Sequence, residues 1–218
     1  MTVTEFALLP LRRDGHGDAD LLEALLQCIE IQDQWIDENQ PHLRESDESL
    51  SSMYLQQDGS EPCLLITAPW DSPAGHHEWI QSKENQEALS DLVMPYISED
   101  AASQLVHMEP AGVNKRLLLS DVVPKTSFSV SRLSVEREHR SAVEQKYQQL
   151  EEDLKQDSTR RQVWAGWRIE DVKDGRECLV FFWDPAARSE KVDAFLNSFE
   201  EQDTRCFRSI CSEKVCKL

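Results

Sequence analysis

The sequence predicts an α+β fold: two tandem ferredoxin-like (βαββαβ) units that form an intrachain pseudo-dimeric α+β barrel. The main observation is an internal repeat. The stretch CLLITAPWDSPAGHHEWIQSKENQ, residues 63–86, returns in diverged form as CLVFFWDPAARSEKVDAFLNSFEEQ, residues 178–202. In each copy an apolar run ends at Trp-Asp and continues past a proline into an amphipathic segment. This pattern is typical of a buried strand followed by a helix, so the same strand–helix unit is present twice.

A second observation is an Asp-Gly pair ahead of each repeated strand, Asp58-Gly59 and Asp174-Gly175. Asp-Gly between two β-rich runs predicts a tight hairpin, because both central positions of such a turn need positive φ. Each repeated strand is therefore expected to pair with the strand just before it.

The first unit is predicted over residues 1–110. It begins with an alternating strand over 2–11 and a helix that Asp18 caps and that ends near Pro41. The remaining elements are hairpin strands over 51–57 and 63–68, a helix over 73–82 started by Pro73, a helical piece over 85–96 and a strand over 103–109.

The same order returns in a second unit over 126–218, after a connection over 111–125. Asp184 and Pro185 are expected to start its second helix, as a cap and a first helical residue. The predicted elements are strands over 127–135, 163–170, 177–183 and 204–211, with helices over 136–156 and 187–200. Each four-stranded sheet then has one face without helices, and the two bare faces can bury each other.

The charge is strongly acidic, with a net value of −18 over 218 residues. Residues 1–115 hold 22 acidic and 5 basic side chains, against 19 and 18 in the remainder. Since no basic patch is present, nucleic-acid and polyphosphate partners are not expected.

No run of 18 apolar residues and no basic-then-apolar leader occurs, so we expect neither a membrane span nor a secretory signal. Six unevenly spaced cysteines suggest reduced thiols and a cytoplasmic location. Cys206, Cys211 and Cys216 lack a CxxC pair or paired histidines, so no zinc site is predicted. The ending Cys216-Lys217-Leu218 resembles the Ser-Lys-Leu peroxisomal signal, an alternative location.

The strand ending in Trp-Asp-Ser and the following AGHHEWIQSKENQ resemble the antibiotic-biosynthesis-monooxygenase (ABM) family of the dimeric α+β-barrel superfamily. The resemblance covers residues 3–109 and, more weakly, 128–211. In that family two ferredoxin-like units, usually from two chains, pair sheet to sheet. Members include cofactor-independent quinone-forming monooxygenases, haem-degrading enzymes, polyketide cyclases and stress proteins, so the resemblance alone does not fix the reaction.

Cofactors are not expected from this resemblance. Haem-degrading members carry a histidine in the piece that reads NQEALSDL here, residues 85–92, and this chain has none there. The sequence also lacks a Gly-rich phosphate loop, a GxSxG motif and an HExxH motif. The resemblance therefore implies neither a bound cofactor nor a metal.

The family's ligand pocket lies between the helices and the sheet of a unit, and His76 is the first candidate catalytic residue. It precedes Trp79 and Ile80 by three and four residues, so it faces the inner side of its helix, with His77 on the flank. A near-neutral imidazole beside an aromatic cavity could take a proton from a phenol or an acidic C–H group. The alternative is that His76 only packs or caps locally and His77 is solvated.

The repeat has Val192 and Asp193 at these positions, so histidine chemistry is expected in the first unit only. His107 shares a strand face with Leu105 and is a second candidate. Tyr54, on the hairpin, could donate its hydroxyl to a developing oxyanion.

Planar aromatic ligands would stack well against Trp70, Trp79 and Trp167, which are candidate substrate-binding residues together with His77. Arg168, with His139, could furnish a second site in the other unit. Gly166 either leaves room for a ligand or marks a bulge.

These observations predict a cofactor-independent biosynthetic enzyme of monooxygenase or cyclase type, acting on a small hydrophobic aromatic or polyketide-like molecule. The alternative is a non-catalytic α+β-barrel protein that binds a ligand or a partner. An enclosed cavity with His76 facing into it would favour the enzyme. Two chains could also associate into a homodimer of the pseudo-dimer.

Overall fold

The computed structural model describes residues 2–13, 19–44, 49–56, 62–114, 127–157, 163–170, 175–185, 189–199 and 202–209. The strands are β1 (Val3–Pro10), β2 (Ser52–Gln56), β3 (Cys63–Thr67), β4 (Pro69–Trp70), β5 (Gln104–Pro110), β6 (Ser127–Glu136), β7 (Val163–Arg168), β8 (Arg176–Trp183) and β9 (Gln202–Ser209). The helices are α1 (Ala19–Asn39), α2 (Pro73–Gln81), α3 (Lys83–Ala88), α4 (Arg140–Asp157) and α5 (Glu190–Leu196).

Eight of the strands close into an antiparallel barrel. The order around the ring is β1, β3, β2, β9, β6, β8, β7 and β5, and β5 pairs back to β1. The short β4 adds to β1 through Val3 and Thr4. The first half (β1–β5) and the second half (β6–β9) meet at two strand pairs, β2–β9 and β5–β7.

Each half has the strand order of a ferredoxin-like sheet, so the predicted α+β barrel is confirmed. Closing the ring pairs the strands that would otherwise be exposed edges of each sheet. The predicted unit boundaries stay a prediction, because residues 115–126 lie outside the described part of the chain.

The barrel interior is filled by one apolar core to which all eight ring strands contribute. Side chains alternate across a strand, so every second residue points inward. The buried members are Phe6, Leu8, Tyr54, Cys63, Leu65, Val106, Met108, Phe128, Val130, Trp164, Val180, Phe182 and Phe207. This core joins the two halves; for example, the Phe128 ring of β6 meets the Tyr54 ring of β2 edge-on, with centroids 4.7 Å apart.

The helices cover the outside of the barrel. In the second half α4 and α5 pack directly on the sheet, and buried aromatic side chains fill the space between them: Tyr147, Trp167, Phe181, Trp183 and Phe195. In the first half α1, α2 and α3 cover the sheet, and Leu25, Cys28 and Ile29 of α1 face inward. No helix in the described ranges is long and apolar enough to cross a membrane.

Two predicted helices differ from the observed ones. The helix predicted over 187–200 is the shorter α5, and its cap is Ser189, whose Oγ accepts a hydrogen bond from the Val192 N–H. The prediction that Asp184 and Pro185 start it is therefore wrong. The segment predicted as helical over 85–96 consists of α3, a π-helical turn (Leu89–Val93) and a 3₁₀ turn (Met94–Tyr96). The α-helix does not continue through this segment, because Pro95 has no N–H to donate.

Several predictions fall on residues outside the described ranges. They concern the Asp58-Gly59 turn, the Asp18 cap, Asp174 and the Cys216-Lys217-Leu218 ending. Gly175 is described, and its φ of +75° is the conformation that the second hairpin turn requires.

The space beside Gly166 is occupied by protein atoms, so it holds no ligand, and the regular pairing of Gly166 with Val180 of β8 leaves no bulge there. A Cβ atom at this position would lie 2.5 Å from Cη2 of Trp164 and 2.8 Å from Cβ of Met108. We expect Gly166→Ala to lower the free energy of unfolding by about 1–3 kcal/mol, the usual cost of overpacking a core. Urea unfolding of both proteins measures it, and an unchanged midpoint would contradict this packing.

Candidate functional site

The first half contains an apolar cavity of about 220 Å³ between its helices and the outer face of its sheet, here called the helix–sheet cavity. Its apolar wall includes Ala7, Cys28, Ile66, Trp79, Val93 and Leu105. Four polar side chains, Glu5, Gln32, His76 and Asn85, interrupt this wall. An apolar cavity with a few convergent polar groups is the usual form of a small-molecule site.

Helix α2 carries His76 and Trp79 into this cavity. Ser72 caps the helix through a hydrogen bond that its Oγ accepts from the Gly75 N–H at 3.1 Å, and Pro73 is the first helical residue. The indole of Trp70 stacks on the His76 ring, with centroids 4.5 Å apart and planes 9° from parallel. The cap and the stacked indole together fix the orientation of the imidazole.

His76 belongs to a hydrogen-bonded line of two imidazoles and a carboxylate. Nδ1 of His76 lies 2.9 Å from Nε2 of His107, and Nδ1 of His107 lies 2.7 Å from Oε1 of Glu170. The backbone N–H of His107 also donates to both carboxylate oxygens of Glu170, at 2.9 and 3.1 Å. Glu170, two residues after the end of β7, therefore contacts both the backbone and the side chain of His107.

When both rings are neutral, the hydrogen bonds determine their tautomers. A carboxylate only accepts hydrogen bonds, so the His107 proton is on Nδ1 and its Nε2 is the acceptor. The His76 proton is then on Nδ1, because that nitrogen must donate to His107. Nε2 of His76 is then left with its lone pair, because Oε2 of Glu5 lies 3.5 Å away, which is longer than an ordinary hydrogen bond.

Burial lowers the pKa of His76 below its ordinary value of 6.5, and the nearby Glu5 opposes this shift only in part. Burial alone would raise the pKa of Glu170, but hydrogen bonds from the side chain and backbone of His107 bring it below its ordinary value. At neutral pH the structure therefore pairs a neutral His76 with an ionised Glu170. A neutral buried imidazole with a free nitrogen can act as a general base.

Glu5 lies beside the free nitrogen of His76 and is almost fully buried. Its Oε2 accepts a hydrogen bond from Nε1 of Trp70 at 3.0 Å and lies 3.5 Å from Nε2 of His76. A carboxylate at this position attracts positive charge, so it stabilises the imidazolium that forms when Nε2 takes a proton.

Gln32 supplies a hydrogen-bond donor that no group in the described residues accepts. Its side chain is 4% exposed and lines the cavity, and its Nε2 has no partner there. Buried donors are nearly always paired, so this one is available to a water molecule or to a ligand with an acceptor oxygen. Cys28, on the same helix, is not a second reactive group, because burial raises the pKa of its thiol to about 11.

The structure brings four of the predicted site residues together. His76 and Trp79 line the helix–sheet cavity. Trp70 and His107 contact the His76 ring but are not part of the cavity lining. Trp70 also completes an aromatic cluster with Trp79 and Trp35. The catalytic and binding roles predicted for these residues stay predictions.

Four other predicted site residues lie outside the helix–sheet cavity. Tyr54 points into the barrel interior, since it has the opposite strand face from Met53. His77 is exposed and its Nε2 pairs with Gln81 at 2.8 Å. Trp167 is buried in the second half, and Cζ of Arg140 lies over its ring, 4.9 Å from the ring centroid.

Arg168 lines a different, polar cavity of about 430 Å³ where the two halves meet, here called the junction cavity. Val3 and Ser72 contribute to it from the first half, and Arg168 and Glu170 from the second. His139, its suggested companion, lies on the surface in the Arg137–His139 turn.

Three residues of the site were not identified from the sequence. Glu5 shares one face of β1 with Val3 and Ala7. A carboxylate between two apolar residues on one strand face is a sequence signal that could have identified it. Gln32 likewise sits among the apolar positions of α1. Glu170 gave no signal, because its contact with His107 spans 63 residues of sequence.

Comparisons with protein-family models and with curated proteins find no match. Solved structures do match over nearly the whole chain. A Fusobacterium nucleatum subsp. nucleatum ATCC 25586 protein named "putative monooxygenase" is 7% identical, with a TM-score of 0.57 over 96% of this chain and 92% of that one. A mutant chlorite dismutase from Candidatus Nitrospira defluvii is 10% identical, with a TM-score of 0.54 over 97% and 92%. An anthrone oxidase-like protein is 11% identical, with a TM-score of 0.52 over 95% and 91%.

At these identities the comparisons show the fold, a dimeric α+β barrel. The helix–sheet cavity does not fit haem, a group used by some relatives of the ABM family. Its volume of about 220 Å³ suits one or two aromatic rings rather than a tetrapyrrole, and the charged residue in its described lining, Glu5, would repel haem propionates. In the described residues no group of three or more His, Cys, Asp or Glu could hold a metal ion.

Proposed function

We propose that this protein is a cofactor-independent enzyme that uses His76 to remove a proton from a small phenol-like or polyketide-like molecule. The observation that carries the proposal is that His76, whose pKa is lowered by burial, lines an apolar cavity with its Nε2 facing Oε2 of Glu5 at 3.5 Å. We also propose that the chain is a fused tandem of two ABM-type units, a first over 1–110 and a diverged second over 126–218.

The cavity limits the size and polarity of the substrate. Apolar cavities of about 150 Å³ can hold benzene, so about 220 Å³ accommodates a substituted single ring or two fused rings. The unpaired amide of Gln32 calls for a carbonyl or phenolic oxygen on the ligand. The substrate therefore combines an aromatic or enol-like body, one acceptor oxygen and one acidic O–H or C–H group.

The reaction begins when the acidic bond of the substrate breaks and an N–H bond forms at Nε2 of His76. In oxygenation, the resulting anion transfers an electron to O2, and the substrate radical and superoxide so formed combine through a new C–O bond into a peroxide. The protein supplies the base, the orientation and a site shielded from water. In cyclisation, the same anion attacks a carbonyl carbon of its own chain. The names of two matching structures, "putative monooxygenase" and anthrone oxidase-like protein, support the first branch.

The test incubates the protein with phenol, which has one ring, and with 1-naphthol, which has two, under air and under argon, and follows oxygen uptake and product mass. We expect binding of at least one probe and oxygen uptake above the buffer rate under air. Ala88→Leu, which fills part of the cavity, is expected to abolish both. If neither probe nor a polyketide-like β-diketone binds or reacts, the proposal is contradicted.

A second candidate is a non-catalytic ligand-binding protein. The unpaired donor of Gln32 favours it as much as the enzyme, since that donor indicates a bound oxygen and not a reaction. This candidate would be supported if the wild type binds a probe without turning it over and Ala88→Leu does not bind that probe.

A further inference from the structure

The two cavities of the molecule are connected by titratable side chains. His76 and Glu5 line the helix–sheet cavity, Glu170 lines the junction cavity, and His107 bridges His76 and Glu170. We propose that Glu170, acting through His107, is the outlet for the proton that His76 takes up. This inference rests on the proposed function, and it assigns a role to the second half in a site built by the first.

The contacts are close enough for proton transfer along the whole line. The nitrogen–nitrogen pair of the two histidines is 2.9 Å apart and the nitrogen–oxygen pair of His107 and Glu170 is 2.7 Å apart, and both are ordinary hydrogen-bond lengths. His76 and His107 are both buried, whereas the Glu170 side chain is 36% exposed. The line therefore runs from an apolar interior to a group that water can reach.

The transfer is balanced in bonds and charge. A substrate O–H bond breaks as the Nε2–H bond of His76 forms. The Nδ1–H bond of His76 breaks as Nε2–H of His107 forms, and the Nδ1–H bond of His107 breaks as the proton joins Oε1 of Glu170. The products are a substrate anion and a neutral Glu170, which then releases its proton to water in the junction cavity.

The charges at the Glu170 end favour release of the proton to water. Arg168 faces Glu170 with Nε 3.7 Å from Oε2 and favours the carboxylate, so the proton does not stay there. The other charged groups of the junction cavity are Glu109, Arg137, Arg140, Arg176 and Glu177. At the other end, the titratable groups near His76 are Glu5, His107 and His77, the next residue of its own helix.

Glu170 could instead have a purely structural role, because it accepts the His107 backbone N–H where β5 and β7 meet. Glu170→Gln separates the two roles. The amide oxygen of glutamine can accept the same hydrogen bonds, but an amide does not take up a proton. Glu109→Gln is the matched control, because Glu109 lines the same cavity and pairs with Arg140 instead of a histidine.

The first readout is solvent exchange of the His76 ring proton, measured by ¹⁵N-edited NMR of the full chain without ligand. We expect Glu170→Gln to slow exchange of Nδ1–H at least about ten-fold, and Glu109→Gln to leave it unchanged. Equal exchange rates in the wild type and Glu170→Gln would overturn the relay. This measurement needs no turnover, so it decides the relay even if the proposed function fails.

The second readout is chemical rescue of turnover with the probe that the wild type oxidises. Glu170→Ala is expected to lower kcat while its Kd for the probe stays within about two-fold, and added formate should restore kcat by carrying the proton from the junction cavity. Full kcat without formate would overturn the relay. If the wild type shows no turnover, the proposed function is refuted. If exchange is still slowed in Glu170→Gln, the relay is supported even so.

Discussion

Replacing His76 with glutamine is expected to lower kcat/KM by about 10²- to 10⁴-fold, the usual contribution of a general base. Glutamine retains polarity and most of the size of the ring, but its amide cannot take a proton from the substrate. Probe binding should stay within a few-fold, since Trp79 and Gln32 still line the cavity. Steady-state oxygen uptake and calorimetric binding measure the two effects separately.

His77→Gln is the matched control, because His77 is the next residue of the same helix and its side chain is exposed. It should retain full kcat/KM. The pH profile supplies a further check on the base. Because burial lowers the pKa of His76, kcat/KM of the wild type should hold as pH falls to 6.5 and decline only below it. Full activity in His76→Gln would remove this residue from the mechanism.

Phe128→Ala is expected to lower the free energy of unfolding by about 3–5 kcal/mol, the usual cost of removing a fully buried aromatic ring. The Phe128 ring contacts Tyr54 from the first half and Phe182 and Phe207 from the second. Its loss therefore leaves a void inside the barrel that neither half can fill alone. Because the barrel interior is one core, calorimetry of the variant should still show a single transition at a lower temperature.

Met94→Ala is a suitable control, since Met94 is 48% exposed in a tight turn outside the barrel. It should change the free energy of unfolding by less than about 0.5 kcal/mol. Two separate transitions in Phe128→Ala, or a loss no larger than that of Met94→Ala, would mean that the halves do not share a core.

The fold could be predicted because the repeat occurs at a position with strong local signals. Trp70-Asp71 and Trp183-Asp184 mark the same strand end twice, and the βαββαβ order follows from patterns of a few residues each. Helix ends were less accurate. The start of α5 was placed at Pro185, although Ser189 is the residue whose side chain caps it.

The site could be predicted only where local spacing determines which way a side chain points. Helical spacing from Trp79 placed His76 correctly on the cavity side of α2. Tyr54 was misplaced because a hairpin strand between two apolar layers gives no sign of which face the helices will cover. Glu170 approaches His107 only after β5 and β7 pair, a tertiary event that no local pattern encodes.

The central claim is that His76 is a neutral base whose free nitrogen is Nε2. Long-range ¹H–¹⁵N NMR of the histidine rings tests it most directly, with resonances assigned from His76→Gln and His107→Gln. We expect the His76 signal at pH 7 to show a proton on Nδ1 and none on Nε2, and to titrate below pH 6.5. A His76 ring that carries its proton on Nε2 at pH 7, or on both nitrogens, would contradict the account.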